Sequence, residues 1–276
     1  MMKEPIEMID IHTHILSGLD DGAKTLEESI KMCRISYQDG IKTIVATPHI
    51  LPGIYKNDRS TILSALQQLN AAIKKLGVRS SEFGTQNIDP ITQRPNNSID
   101  ALKILPGADV HFSSDIFQRY EKGEVVTVND QGRYLMVEFD FQSIPYRSEE
   151  VLFQLIMHGM VPIITHPERN LEIIRNPKRY YEMIRMGCLG QVTAMSLTGE
   201  FGSQEKRTAE RLLTHRLIHF IASDAHSTDG RPPILSAGVR AAEKIVGKEE
   251  ARKMVTEYPE AIIEGRKPIV PEPLSP

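Results

Sequence analysis

Cysteine is scarce in this chain, with only Cys33 and Cys188 among 276 residues. Two thiols so far apart make no disulfide framework, and they read as reduced thiols of a cytoplasmic protein. No apolar run approaches the roughly 18 residues a membrane-spanning helix needs. The opening Met1-Met2-Lys3-Glu4-Pro5 leads straight into a strand-like segment and lacks the apolar stretch of a secretory signal. An excess of either charge is also missing: 33 basic against 36 acidic residues gives a net charge of −3, which excludes a general nucleic-acid binder. What is present is a chain 40% hydrophobic and 25% charged, long enough for one large core. A single domain over residues 1–276 is the expectation.

Seven short apolar stretches read as strands: Ile9–His14, Thr43–His49, Ile104–Asp109, Tyr134–Glu138, Pro162–His166, Leu189–Thr193 and Phe220–His226. Helical patterns alternate with them. Thr25-Leu26-Glu27-Glu28 is a capping box, behind which Leu26, Ile30, Cys33 and Tyr37 recur at helical spacing until Gly40. Ile62, Leu66, Leu69, Ile73 and Leu76 mark a second helix. Others precede Gly159, Gly187 and the last strand, and Val239–Val246 and Ala251–Tyr258 suggest terminal helices. Strand and helix in alternation predict an α/β fold with a nearly wholly parallel sheet. Ser80–Ser98 is polar and aperiodic and reads as a long loop. The tail from Arg266 is proline-rich and reads as surface chain.

Six of the seven strands end at or near a histidine or an acid, and parallel α/β barrels build their sites where strand C-terminal ends converge. His12 and His14 flank one residue, so a strand presents both rings on one face, within reach of one metal. Asp224 and His226 repeat that spacing on the last strand. Asp21 lies in Asp20-Asp21-Gly22, where Asp-Gly is also ordinary turn chemistry. His49 follows Thr47-Pro48, and His166 opens His166-Pro167-Glu168-Arg169-Asn170; each also reads as a core or loop histidine. Glu138 follows Leu135-Met136-Val137, where a carboxylate is costly unless paired or ligated. Asp109 follows Pro106-Gly107 and doubles as a turn residue. Of nine histidines, His111, His158, His215 and His219 fall outside this pattern and read as ordinary surface or core residues. Imidazole plus carboxylate without thiolate suits Mn²⁺, Fe or Zn²⁺ rather than a structural cysteine–zinc site.

These motifs, in this order over essentially the whole chain, resemble the PHP (polymerase and histidinol phosphatase) superfamily. Within it the chain is most similar to the manganese-dependent protein-tyrosine phosphatases of Gram-positive capsule and exopolysaccharide loci. The resemblance rests on Met8–His14, Asp20-Asp21-Gly22, Ala46–His49, Thr165–Asn170, and Ser223–His226 with Asp229-Gly230-Arg231-Pro232-Pro233. It implies a distorted seven-stranded (β/α) barrel of TIM type and three divalent ions, manganese by preference. His12, His14 and Asp224 would hold a first metal, with Glu138 or Asp109 nearby. Asp109 would bridge to a second, shared with Glu138 and His166. Asp21, His49 and His226 would hold the third. Arg169 and Arg231 match phosphate-contacting arginines. One position departs from the family pattern: Asp109 stands where a Pro-Gly-x-Glu segment usually supplies glutamate.

The implied reaction is hydrolysis of a phosphomonoester, with the tyrosine-phosphorylated tail of a bacterial kinase as protein partner. The cysteine-based route is closed, because the arginine it needs six positions after the nucleophile is Asp39 after Cys33 and Ala194 after Cys188. A small-molecule phosphatase of the histidinol-phosphate type and a metal-binding regulatory protein with little turnover stay open as alternatives.

Overall fold

The first helix, Leu26–Gln38, starts where the capping box places it. Thr25 Oγ1 accepts the Glu28 N–H at 3.2 Å, while the Glu28 carboxylate reaches back to the Lys24 N–H at 2.8 Å, one residue beyond the usual reciprocal bond. The computed structural model describes residues 7–82, 99 and 101–276, the side chains of 76–82 excepted. Its strands are β1 (Met8–Thr13), β2 (Ile41–Ala46), β3 (His49–Ile50), β4 (Lys103–Pro106), β5 (Asp109–His111), β6 (Tyr134–Glu138), β7 (Val161–Thr165), β8 (Leu189–Thr193) and β9 (Phe220–Ala222). All ladder pairings between them are parallel, in two sheets ordered β1-β2-β4 and β3-β5-β6-β7-β8-β9. Strands β6 and β8 are buried along their whole length. That is why they read as continuous runs rather than alternating ones.

Seven expected strands thus become nine segments in two sheets. The stretch Ile104–Asp109 is not one strand. Ala46 of β2 pairs with Pro106, but Asp109 pairs with His49 of β3 and Met136 of β6. Pro106 has no N–H to continue a ladder. Gly107 follows it at a close approach, since a Cβ there would lie 2.7 Å from Val45 Cγ1. The chain therefore steps from one sheet to the next between Pro106 and Asp109. Backbone bonds join the two sheets beyond the ends of β1 and β9: Asp224 N–H to His12 O (2.9 Å) and His14 N–H to Ala225 O (2.8 Å).

Other boundaries move for local reasons. Helix Arg59–Glu82 takes in Ser80, Ser81 and Glu82 of the expected loop 80–98, whose positions 83–98 lie outside the described residues. The last helical stretch divides into Lys248–Lys253 and Glu257–Ile263. Pro259 falls in the first turn of the second piece, where its missing N–H costs nothing. From Arg266 the chain forms neither helix nor strand. Cys33 and Cys188 are free and buried. Among the described residues no helix is long and apolar enough to cross a membrane.

Candidate metal centre

Side chains drawn from over two hundred positions of sequence meet at the C-terminal ends of the strands. His12 Nε2 lies 3.1 Å from His14 Nε2 and 3.5 Å from Asp224 Oδ1, and His14 Nε2 is 3.3 Å from that same oxygen. Beside this trio, His166 Nε2 is 3.7 Å from Asp109 Oδ2 and 3.4 Å from Glu138 Oε1. On the other side, Asp21 Oδ1 is 3.5 Å from His226 Nε2 and 3.7 Å from His49 Nε2. The nine residues singled out as ligand types therefore converge, but among the described residues the sets close enough to share one ion are His14, Asp21, His49 and His226; His12, His14 and Asp109; and His49, Asp109 and Glu138, which differ from the three groups the resemblance implies. His49 spans two of them, because its Nδ1 faces Asp109 Oδ2 at 3.6 Å and Glu138 Oε2 at 3.3 Å.

The backbone is bent to make this possible. His166 (φ 34°) and Asp224 (φ 52°) both occupy the left-handed region, which non-glycine residues seldom adopt and which tends to persist at functional sites. Gly22 fits where nothing larger would. A Cβ there would stand 2.1 Å from His14 O and 2.5 Å from His14 Cβ, so the turn after Asp20 packs directly on the residue it serves.

A further set of residues orients the rings. Asp20 Oδ2 lies 2.7 Å from His14 Nδ1, Gln191 Oε1 lies 2.9 Å from His12 Nδ1, and His226 Nδ1 donates to Asp224 O at 2.9 Å. With Nδ1 engaged in each case, the Nε2 lone pair faces the cluster, the arrangement in which a second partner fixes a metal-binding tautomer. His12 Nε2 and His14 Nε2, 3.1 Å apart, share one proton when His14 is charged; with both rings neutral, their facing lone pairs need a cation between them. The buried oxygen Asp109 Oδ2 and the buried nitrogen His49 Nδ1 have no hydrogen-bond partner although both point into the cluster. Donor types, tautomers and orphaned atoms all fit divalent cations.

Sequence reasoning passed over several of these residues. Asp20 was visible only as the neighbour of Asp21, and Gln191 lies on the one strand that ends without a ligand type. Asp10, fully buried, accepts the His12 N–H at 3.2 Å and the Ser223 N–H at 3.1 Å, tying β1 to the end of β9. His111 is not an ordinary surface or core residue: its Nδ1 is 3.8 Å from Glu138 Oε2 and its Nε2 3.6 Å from Asp140 Oδ1. The signal for it was the period-two spacing Asp109-x-His111, hidden by ending a strand where one begins. The remaining three stay structural. His158 Nδ1 meets Gln154 O, His215 Nδ1 meets Arg211 O, and His219 Nδ1 accepts the Gly190 N–H.

The electrostatics favour cations. Burial opposes ionisation of Asp224, yet His12, His14 and Arg231 outweigh it and hold its carboxyl well below the usual range. Burial likewise opposes charge on Glu138, and the facing His111 and His49 imidazoles reverse it downward. Burial disfavours the charged form of His14, but the Asp20 carboxylate overrides that and pushes it up to about 10. His12, with no carboxylate so close, is brought down to about 4 by burial. Asp21, less buried, is lowered to about 2 mainly by its bond to His226.

Above the cluster opens a cavity of about 260 Å³ bordered by Tyr55, Phe141, Arg169 and Arg231. Both arginines reach Asp224 Oδ2, Arg169 through Nη1 at 2.7 Å and Arg231 through Nη2. Fixed cationic forks beside a metal-type cluster suit a phosphate group.

Residues 8–82 and 78–264 match the family described as Capsular polysaccharide synthesis, CpsB/CapC. The tyrosine-protein phosphatase YwqE of Bacillus subtilis is 36% identical over 256 residues, covering 93% of this chain and 91% of that protein. The tyrosine-protein phosphatase CpsB of Streptococcus pneumoniae is 31% identical over 261 residues, covering 93% and 98%. In three dimensions the chain superposes with a TM-score of 0.86, at 34% identity and over 98% and 99% of the two chains, on a structure from work on YwqE and CpsB, there described as unique metal-dependent tyrosine phosphatases.

Proposed function

The chain belongs to the CpsB/CapC capsular polysaccharide synthesis family, and on that premise we propose that it is a metal-dependent tyrosine-protein phosphatase. The observation that carries this reading is the presentation of His12, His14 and His226, each held at Nδ1 and offering Nε2 to a pocket of buried carboxylates. The two sheets read as one distorted seven-stranded (β/α) barrel of the PHP type, joined beyond the ends of β1 and β9 and forming one domain over the chain.

In this reading His12, His14 and Asp224 would hold one ion. Asp109, Glu138 and His166 would hold a second, and Asp21, His49 and His226 would hold a third; manganese suits the donor set, and iron or zinc would also fit. Divalent ions bound there supply Lewis acidity and a water made nucleophilic near neutral pH. The protein's own groups do the rest. Arg169 and Arg231 present in-plane N–H donors to the phosphate oxygens and stabilise the charge that builds on them during transfer. Phe141, half exposed at the cavity edge, and Tyr55 offer faces to a phenol ring. Asp20 and Gln191 keep the imidazoles in register through the reaction. The substrate we favour is a tyrosine-phosphorylated protein, in its finer form the autophosphorylated tail of a bacterial kinase governing capsule or exopolysaccharide synthesis. A cytoplasmic location goes with such a tail and with two free buried thiols.

The test is steady-state hydrolysis of p-nitrophenyl phosphate by purified protein with and without added Mn²⁺, followed by a phosphotyrosine peptide against histidinol phosphate. Metal-dependent turnover that prefers the peptide is expected. The absence of a metal-dependent rate defeats the catalytic reading, and a preference for histidinol phosphate defeats the substrate.

A further inference from the structure

Phe201 stands under both arginines. The Arg169 guanidinium carbon lies over the Phe201 ring at 4.9 Å from its centre, and that of Arg231 lies over the same ring at 5.6 Å. Arg169 also lies over Phe141 at 4.7 Å. The two cations come from segments about sixty residues apart in sequence, and among the described residues Asp224 and this ring are the side chains to which both are drawn. Its position is set by the short connection between helices Ala194–Thr198 and Ser203–Thr214. Gly199 (φ 94°) and Gly202 (φ 121°) bend that connection on either side, and Gly202 N–H donates to Gly199 O at 3.1 Å.

The two contacts Arg169 and Arg231 share differ in kind. Asp224 engages N–H donors, the same atoms a phosphate would need. An aromatic ring attracts a guanidinium through its face and leaves the in-plane N–H fork free for an anion. A ring that draws two guanidinium carbons over its face constrains their spacing without taking up the N–H donors a ligand needs.

We propose that Phe201 is a positioning residue, which sets Arg169 and Arg231 as a preformed pair for a phosphate group. This rests on the reading of those arginines as phosphate-binding groups. It adds a residue that touches neither metal nor substrate and that carries no ionisable group.

The experiment compares Phe201→Leu and Phe201→Tyr with the wild-type holoenzyme, alongside Arg169→Ala and Arg231→Ala. Readouts are KM and kcat for p-nitrophenyl phosphate, the competitive inhibition constant of inorganic phosphate, metal content and Tm. Loss of two cation–π contacts is expected to raise KM and the phosphate inhibition constant by roughly tenfold, with kcat changed less. Metal content should stay at the wild-type level. Phe201→Tyr keeps a ring and should stay within about twofold of wild type. A wild-type phosphate constant in Phe201→Leu overturns the proposal. So does a loss in both variants that follows Tm or metal content, since that marks a structural role. If Arg169→Ala and Arg231→Ala themselves leave phosphate inhibition unchanged, the reading of the arginines fails instead, whatever Phe201→Leu does.

Discussion

Asp20 Oδ2 serves His14 and His49 at once, lying 2.7 Å from the Nδ1 of the first and accepting the backbone N–H of the second at 3.0 Å. Its other oxygen accepts the Gly22 N–H at 2.9 Å. One carboxylate outside the cluster thus fixes a ring orientation, a strand start and a turn. Asparagine at position 20 has a single acceptor oxygen, so it can keep the Gly22 bond but loses the one from His49 and cannot supply the charge that orients His14. Asp20→Asn should therefore keep the fold and weaken metal binding by about 10–100-fold. Mn²⁺ titration calorimetry measures this directly, and an unchanged dissociation constant would remove Asp20 from the account.

The same contact sets a pH dependence. A histidine whose pKa is raised to about 10 carries a proton at neutral pH, and a metal must displace it because only neutral imidazole ligates. His166 is also raised, with burial opposing the shift and Asp109 outweighing it. His12, lowered to about 4, is already neutral and contributes no proton. Binding therefore releases protons, and affinity rises with pH. Each proton displaced should weaken apparent affinity roughly tenfold per unit as pH falls from 8 towards 6. Calorimetry in buffers of different ionisation enthalpy counts the protons, and a dissociation constant flat across this range contradicts the assignment.

Asp109 is the most enclosed acid of the cluster. Thr165 Oγ1 donates to its Oδ1 at 3.1 Å, while Oδ2 lies 3.5 Å from His12, 3.6 Å from His49 and 3.7 Å from His166 without a hydrogen bond. Asp109→Asn keeps the volume and the Thr165 bond and deletes the charge. Metal stoichiometry should fall by at least one ion and kcat by roughly 10²-fold or more, the scale seen when one electrostatic stabiliser is removed. Elemental analysis beside turnover decides it. Full metal content with near-normal kcat would exclude Asp109 as a ligand.

How much of this was legible in the sequence depended on the range of the signal. The His12–His14 and Asp224–His226 pairs are local: a strand of period two puts both members on one face wherever the strand lies. Asp20 and Gln191 carry no such signal, because their partners are chosen by three-dimensional neighbourhood; Gln191 meets His12 across 179 positions. The division of Ile104–Asp109 between two sheets hid His111, since the face a side chain takes depends on where its strand begins. Phe201 sits on a connection between helices, where no periodicity predicts an orientation.

Arg169 supplies the sharpest separation of roles. Its Nη1 bonds Asp224 Oδ2, and Asp224 also faces His12 and His14. Were Arg169 part of the metal scaffold, truncation would release ions. If it is instead the phosphate ligand, truncation removes a cation from the neighbourhood of bound cations, and metal affinity should hold or rise. Arg169→Ala is therefore expected to lower kcat/KM by about 10–100-fold, the worth of a charge-assisted hydrogen bond of roughly 1.5–3 kcal/mol, with metal content preserved. Arg169→Lys should recover only part of it, because an ammonium lacks the planar fork. Metal analysis and kinetics on the same preparations check this, and ion loss in step with activity would transfer Arg169 from substrate binding to the scaffold.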